Sequence, residues 1–240
     1  MSAPDEREAE ARRDRLVKLA SATAFLAVVV VAVLVVIDQS QTDGGDTSLE
    51  GVAAVRSDLD GIPQRGLVLG DPRAEVVLVE FGDLQCPACK GFAEDVVPDV
   101  IESKVRSGEA RIEFRNFTII GEESVDAAAA AVAAGEQGRG WHFVELFYRN
   151  QGFERSGYVS DEFLTELARA AGVRDIELWH RTRRSQRTID RVEAESAEAE
   201  ELGFGGTPSF AVQGPATDGL KTLGTPGTAG ELESAIDAAR

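Results

Sequence analysis

Hydrophobic and polar positions divide the chain into distinct regimes. From Leu19 to Ile37 no residue is charged and most are apolar. As a helix this run rises roughly 28 Å, close to the hydrocarbon thickness of a bilayer, and it predicts a single transmembrane helix. Residues 38–65 are polar, rich in Asp, Gly, Ser and Thr, and read as a flexible linker. As a coil such a linker has an r.m.s. span of roughly 30 Å. From residue 66 onward, short apolar runs alternate with amphipathic stretches, the pattern of an α/β domain.

Within that domain, Gly66-Leu67-Val68-Leu69 predicts an edge strand. Val76-Val77-Leu78-Val79, bounded by Asp71-Pro72 and Gly82-Asp83, predicts a central strand buried on both faces. Phe92, Val96, Val97, Val100 and Ile101 follow at helical spacing. Arg111 to Arg115 alternates polar with apolar, as a half-buried strand does. The stretch from about 122 to 203 is helical throughout. It holds the alanine run 127–131, an aromatic face of Trp141, Val144, Phe147 and Tyr148, a helix capped by Ser160 and ended by Gly172, and a long charged helix from about Asp175 to Gly203. Ser209 to Val212 and Leu220 to Leu223 return to strand, and a last helix covers 229–239. The order predicts one sheet interrupted by a helical subdomain at about 122–203.

Charge fixes the direction of the apolar helix. Arg7, Arg12, Arg13, Arg15 and Lys18 precede it, and Arg56 is the first basic residue after it. The positive-inside rule makes 1–18 a cytoplasmic tail, 19–37 a membrane anchor, and everything beyond extracytoplasmic. A cleaved signal peptide is the competing reading. The long apolar run and the absence of a small-x-small site around Ile37-Asp38-Gln39-Ser40 argue against it. The net charge of −17 excludes a nucleic-acid partner, which needs clustered cations.

The chain has only two cysteines, Cys86 and Cys89. They stand where the central strand hands over to a helix. Cys86 at the helix N-cap faces unpaired N–H groups and the positive end of the macrodipole, which lower a thiol pKa. Pro87 suits the first helical position. Cys89, one turn on, is within reach of a mixed disulfide on Cys86. Glu80 lies inside the apolar strand; buried beneath the motif it would hold a raised pKa and exchange a proton with Cys89, whereas turned outward it would be an ordinary surface acid. Thr207-Pro208 follows a glycine-rich segment and enters a strand. On residue type alone its peptide bond is expected to be trans. His142 and His180 each neighbour a Trp in a helical pattern and read as structural. Two cysteines without such partners supply no closed zinc site, so no metal is expected.

The segment 77–90, Val-Leu-Val-Glu-Phe-Gly-Asp-Leu-Gln-Cys-Pro-Ala-Cys-Lys, resembles the active-site segment of DsbA-like proteins of the thioredoxin superfamily. The resemblance continues through Asn116-Phe117, Gln137-Gly138, Trp141 and Asn150-Gln151 to Gly206-Thr207-Pro208-Ser209-Phe210. It covers about residue 62 to the C-terminus. It implies a thioredoxin-like fold with a helical insertion over 66–240, Cys86 as attacking and Cys89 as resolving thiol, and Glu80 as the buried acid. It also implies a substrate-docking surface formed by Pro87, Ala88, Thr207 and a cis Pro208. No cofactor beyond a redox-active Cys86–Cys89 disulfide is implied. Two positions depart from the family pattern. Ala88 stands where strongly oxidising members carry His, which implies a less oxidising couple. Thr118 stands where a proline is often found.

The expected activity is thiol–disulfide exchange outside the cytoplasm, most directly oxidation of cysteines in exported proteins, with a membrane redox partner that recharges the site. A reductase or isomerase of exported disulfides uses the same residues, and direction rests on redox potential. Rivals of other classes are a tethered peptide-binding holdase with a structural cysteine pair, and an intermolecular zinc clip.

Overall fold

A computed structural model describes residues 49–240. The expected tail 1–18, the anchor 19–37 and the first part of the linker, 38–48, lie outside the described residues. Among the described residues no helix is long and apolar enough to cross a membrane.

The sheet has strand order β1-β2-β4-β3-β5-β6. Its strands are β1 (Gln64–Arg65), β2 (Val68–Leu69), β3 (Val76–Gly82), β4 (Ala110–Asn116), β5 (Ser209–Gln213) and β6 (Lys221–Gly224). β3 runs parallel to β4 and antiparallel to β5. Every residue of β3 is buried, as its β-branched run predicts for a strand covered on both faces. β4 alternates buried with half-buried, the expected period of two.

Alternation along β3 sorts its side chains between two layers. Val77, Val79 and Phe81 pack with Phe117, Ala199, Leu202 and Phe204. Val76 and Leu78 face the larger core, shared with the helices that carry Cys89, Trp141 and Tyr148. Glu80 and Gly82, at the same parity as Leu78, point into that larger layer.

The helices are α1 (Val52–Asp58), α2 (Pro87–Asp95), α3 (Val97–Val100), α4 (Glu122–Gly135), α5 (Gly140–Arg149), α6 (Asp161–Ala171), α7 (Ile176–Arg183), α8 (Gln186–Glu201) and α9 (Ala229–Ala238). α4 to α8 form the insertion between β4 and β5. The alanine run of α4 is wholly buried, since small side chains let neighbouring helices approach closely. Ser160 caps α6 through its hydroxyl and Gly172 ends it in the left-handed conformation, both as expected.

Four expectations change. The segment expected to be linker up to residue 65 is folded in its described part: α1 puts Val55 into the core, Leu59 and Ile62 follow it, and β1 adds a strand. Its apolar residues at spacings of four and three form a buried face that the surrounding polar composition concealed. The ordered domain accordingly starts by Leu49, not residue 66. The segment 66–69 is not at the sheet edge, because β1 pairs outside β2. The charged helix expected over 175–203 is two helices, α7 and α8, divided where the Ser185 hydroxyl accepts the Thr188 N–H and starts a new helix. The helix after the cysteines breaks at Val96, ahead of Pro98, and continues as α3 and a π-helical turn over Ile101–Val105.

Candidate active site

The turn between β3 and α2 is built by Asp83. One oxygen of its buried carboxylate accepts the N–H of Gln85 at 2.9 Å, and its backbone carbonyl accepts the N–H of Cys86 at 2.9 Å. The other oxygen takes the N–H groups of Ile119 and Ile120 at 2.9 and 3.0 Å, tying the turn to the loop after β4. Gln85, also buried, donates to Ser124 on α4 and accepts the N–H of Arg155. From the end of α5, the Gln151 amide donates to the carbonyls of Leu84 at 2.6 Å and Cys86 at 3.1 Å. The insertion thus holds the cysteine turn from several sides.

On that base Cys86 occupies the N-cap of α2, with extended backbone, and Pro87 takes the first helical position. Cys86 is 8% exposed and Cys89 is fully buried, and neither is drawn into a disulfide. The Thr207–Pro208 peptide bond is cis. The residue-type expectation of a trans bond is thereby corrected, and the expectation drawn from the family resemblance holds. The loop sets the Thr207 carbonyl 3.4 Å from the Cys86 sulfur, which donates to it. Pro208 is fixed in turn by Thr225, whose hydroxyl donates to its carbonyl at 2.9 Å. Segments more than a hundred residues apart therefore meet at one sulfur.

The two thiols are driven apart in acidity. Cys86 is lowered to about 6, first by a hydrogen bond from Cys89, then against the opposing effect of burial by the Thr207 side chain and the N–H groups of Cys89 and Ala88. Cys89 is raised well above its ordinary value, chiefly by burial. Cys86 is thereby disposed to ionise near neutral pH, whereas Cys89 keeps its proton.

Glu80 is 2% exposed, and its Oε1 has no hydrogen-bond partner. Burial raises its pKa to about 8, with the Glu145 and Cys86 charges adding to the rise. Of the two expected placements, the side chain is thus buried and not turned outward. Tyr148 of α5 donates to the Asp83 carbonyl at 3.4 Å, and its hydroxyl oxygen lies 3.2 Å from where a side chain on Gly82 would begin. Ala88 is exposed beside the cysteines, as a surface-facing position between them should be. Thr118, the departure from proline, uses the N–H that proline lacks: it donates to the Ser196 hydroxyl of α8 at 3.1 Å.

Sequence reading placed Tyr148 on an aromatic helix face but not at this site, and it did not single out Asp83, Gln85 or Glu145. For Asp83 the signal was present, because Asp two residues before a tight turn's amide is a recurrent turn former. For Gln85, Tyr148 and Glu145 the partners are distant in sequence and no spacing reveals them. His142 is buried against Gln64, with its Nδ1 3.0 Å from the Gln64 amide, and His180 packs on Trp179; both fit the structural reading.

Comparison with known proteins agrees with this geometry. A family model described as Thioredoxin matches residues 64–238. A probable disulfide bond formation protein D of Bacillus anthracis is 31% identical over 160 residues, covering 64% of this chain and 74% of that protein. A thioredoxin-like oxidoreductase from Silicibacter pomeroyi has a solved structure with TM-score 0.58 and 30% identity, covering 77% of this chain and 97% of that one. Oxidised BdbD from Bacillus subtilis shares the fold with TM-score 0.63 at 24% identity, covering 73% of this chain and 96% of that one. The redox chemistry of such proteins is carried by the cysteine pair itself, without a further cofactor. With the family match, a thiolate-prone Cys86, a buried Cys89 and the cis-proline loop beside them, the chain belongs to the DsbA-like thiol:disulfide oxidoreductases of the thioredoxin family.

Proposed function

We propose that this enzyme oxidises cysteines in exported proteins, tethered to the outer face of a membrane by residues 19–37. The observation that carries the direction is the acidity of Cys86. A thiolate stabilised in the reduced enzyme favours that reduced form, so electrons flow from client thiols to the Cys86–Cys89 disulfide.

In this reading a client thiolate attacks Cys86 Sγ and expels Cys89, which takes a proton from Glu80. A second client thiol then attacks the client sulfur of the mixed disulfide, releasing an oxidised client and the Cys86 thiolate. A membrane redox partner recharges the pair: Cys86 attacks the partner's disulfide, and Cys89 resolves the mixed disulfide while passing its proton to Glu80. Thr207, the cis Pro208, Pro87 and Ala88 form the surface on which the client backbone docks. Ile119 and Phe153 are 45% and 89% exposed, and both lie on loops bonded to the cysteine turn, which suits an unfolded, apolar client.

The Cys89→Ser variant of the full chain tests the reading. It cannot resolve mixed disulfides, so exported cysteine-containing proteins should accumulate covalently on Cys86. A trap that stays empty while Cys86 remains alkylatable would contradict a client-oxidising role.

A further inference from the structure

Glu80 has a problem that its position creates. It is sealed in the layer between β3 and the helices, its Oε1 has no partner, and a proton it takes from Cys89 needs a way out. The same layer offers one on α5. Tyr148 reaches the Gly82–Asp83 end of β3, and Glu145, three residues earlier, lies on the same face of the helix. Glu80 and Gly82 share one face of β3, so the helix face that Tyr148 brings to Gly82 adjoins the layer that holds Glu80, and the Glu145 charge acts on Glu80 across it. Glu145 is itself buried, yet it lines a cavity of about 590 Å³ walled by α1, Pro98, the π-helical turn and Arg149.

We propose that Glu145 is a relay residue that moves protons between Glu80 and the water of this lateral cavity. The relay acts through Glu80 and rests on the reading of Glu80 as the proton carrier for Cys89. In the recharging direction the step balances as follows. Cys89 Sγ attacks the Cys86 sulfur of a mixed disulfide, the Cys86–Cys89 bond forms, and the leaving thiolate departs with the electron pair of the broken S–S bond. The Cys89 proton passes to Glu80, from Glu80 to Glu145, and from Glu145 to cavity water. Client oxidation runs the same protons inward.

The charged surroundings suit a group that changes protonation. Glu80 from β3, Glu94 from α2 and Asp58 from α1 oppose the Glu145 charge, and Glu102 lines the cavity. Arg149 favours the charge, although its guanidinium also pairs with Asp58 at 3.3 Å; Arg106 stands on the cavity wall. Burial is the largest influence, and the result is a carboxyl raised to about 7, beside the value of about 8 for Glu80. Two acids of similar strength exchange a proton with little loss in either direction.

The test follows decay of the Cys86–glutathione mixed disulfide by acid-quenched flow and mass analysis, in the full chain mixed with oxidised glutathione, across pH 5–9. Glu145→Gln should slow that decay about tenfold at neutral pH, a modest share of what general acid–base groups contribute. Glu145→Asp should restore most of the rate, and added formate should restore it in Glu145→Ala by entering the cavity. A purely electrostatic or structural role predicts the opposite sign. Removing the Glu145 charge makes Glu80 easier to ionise, so Glu145→Gln would resolve as fast as the native protein or faster, and formate would do nothing. That outcome overturns the relay. Glu80→Gln separates the two claims: if it is slow while Glu145→Gln is not, only the relay is lost; if neither is slow, the role of Glu80 falls with it.

Discussion

At the scale of single residues, the candidate site holds two thiols and a buried acid whose environments shift their proton affinities in different directions. Cys86, lowered to about 6, should react with iodoacetamide with a pH midpoint near that value, whereas the rate for an ordinary cysteine rises toward 9. Alkylation measured from pH 4 to 10 on the Cys89→Ala variant should show a higher midpoint, because the hydrogen bond from the Cys89 thiol is the largest cause of the lowering and alanine supplies no donor. Glu80 behaves in the opposite sense. Its folded pKa of about 8 exceeds its ordinary 4.5, so its contribution to stability is intact below pH 4.5 and is lost as pH rises toward 8. Glu80→Gln should therefore match the native protein in thermal unfolding at pH 4 and exceed it at pH 8, by on the order of 2 kcal/mol or more. Equal stability at both pH values would show that Glu80 is not held as a buried acid. The cysteine pair was legible in the sequence because strand, Cys-Pro-x-Cys and helix are contiguous. Gln85 and Glu145 were not, since what makes each of them matter is a partner brought close only by the fold.

At the scale of elements, patterning located the central strand, the alternating β4 and the helical insertion, because apolar period and length decide those directly. It misjudged elements whose boundaries depend on a single cap or a short buried face. Ser185 divides α7 from α8 by one hydroxyl, and in a charged stretch that signal is weak against helical periodicity. α1 contributes few apolar residues amid polar ones, and composition reads it as a tether. Its burial has a measurable consequence. Leu59→Ala should lower stability by about 2–4 kcal/mol, the usual range for emptying a buried leucine site. A chain begun at residue 66 should unfold at markedly lower temperature than one begun at residue 49, by differential scanning calorimetry. Equal melting temperatures would return residues 49–65 to the role of linker.

At the scale of the whole molecule, both cysteines of the chain lie at the one turn from β3 into α2. The helical insertion joins that turn to the rest of the fold: Gln151 holds the carbonyls of Leu84 and Cys86, while Ser124 and Arg155 hold Gln85. Ala88 in place of an imidazole removes one stabiliser of the Cys86 thiolate, yet the Cys89 thiol, then Thr207 and the helix amides, keep it acidic. The couple should accordingly be oxidising, though less so than the strongest members of its family. The equilibrium redox potential of the Cys86–Cys89 pair, titrated in glutathione buffers on the full chain, tests this most directly. A value between about −120 and −180 mV is the predicted result for an enzyme that takes electrons from client thiols. A value near about −270 mV, where a reductant such as thioredoxin works, or a pair that never exchanges, would contradict it.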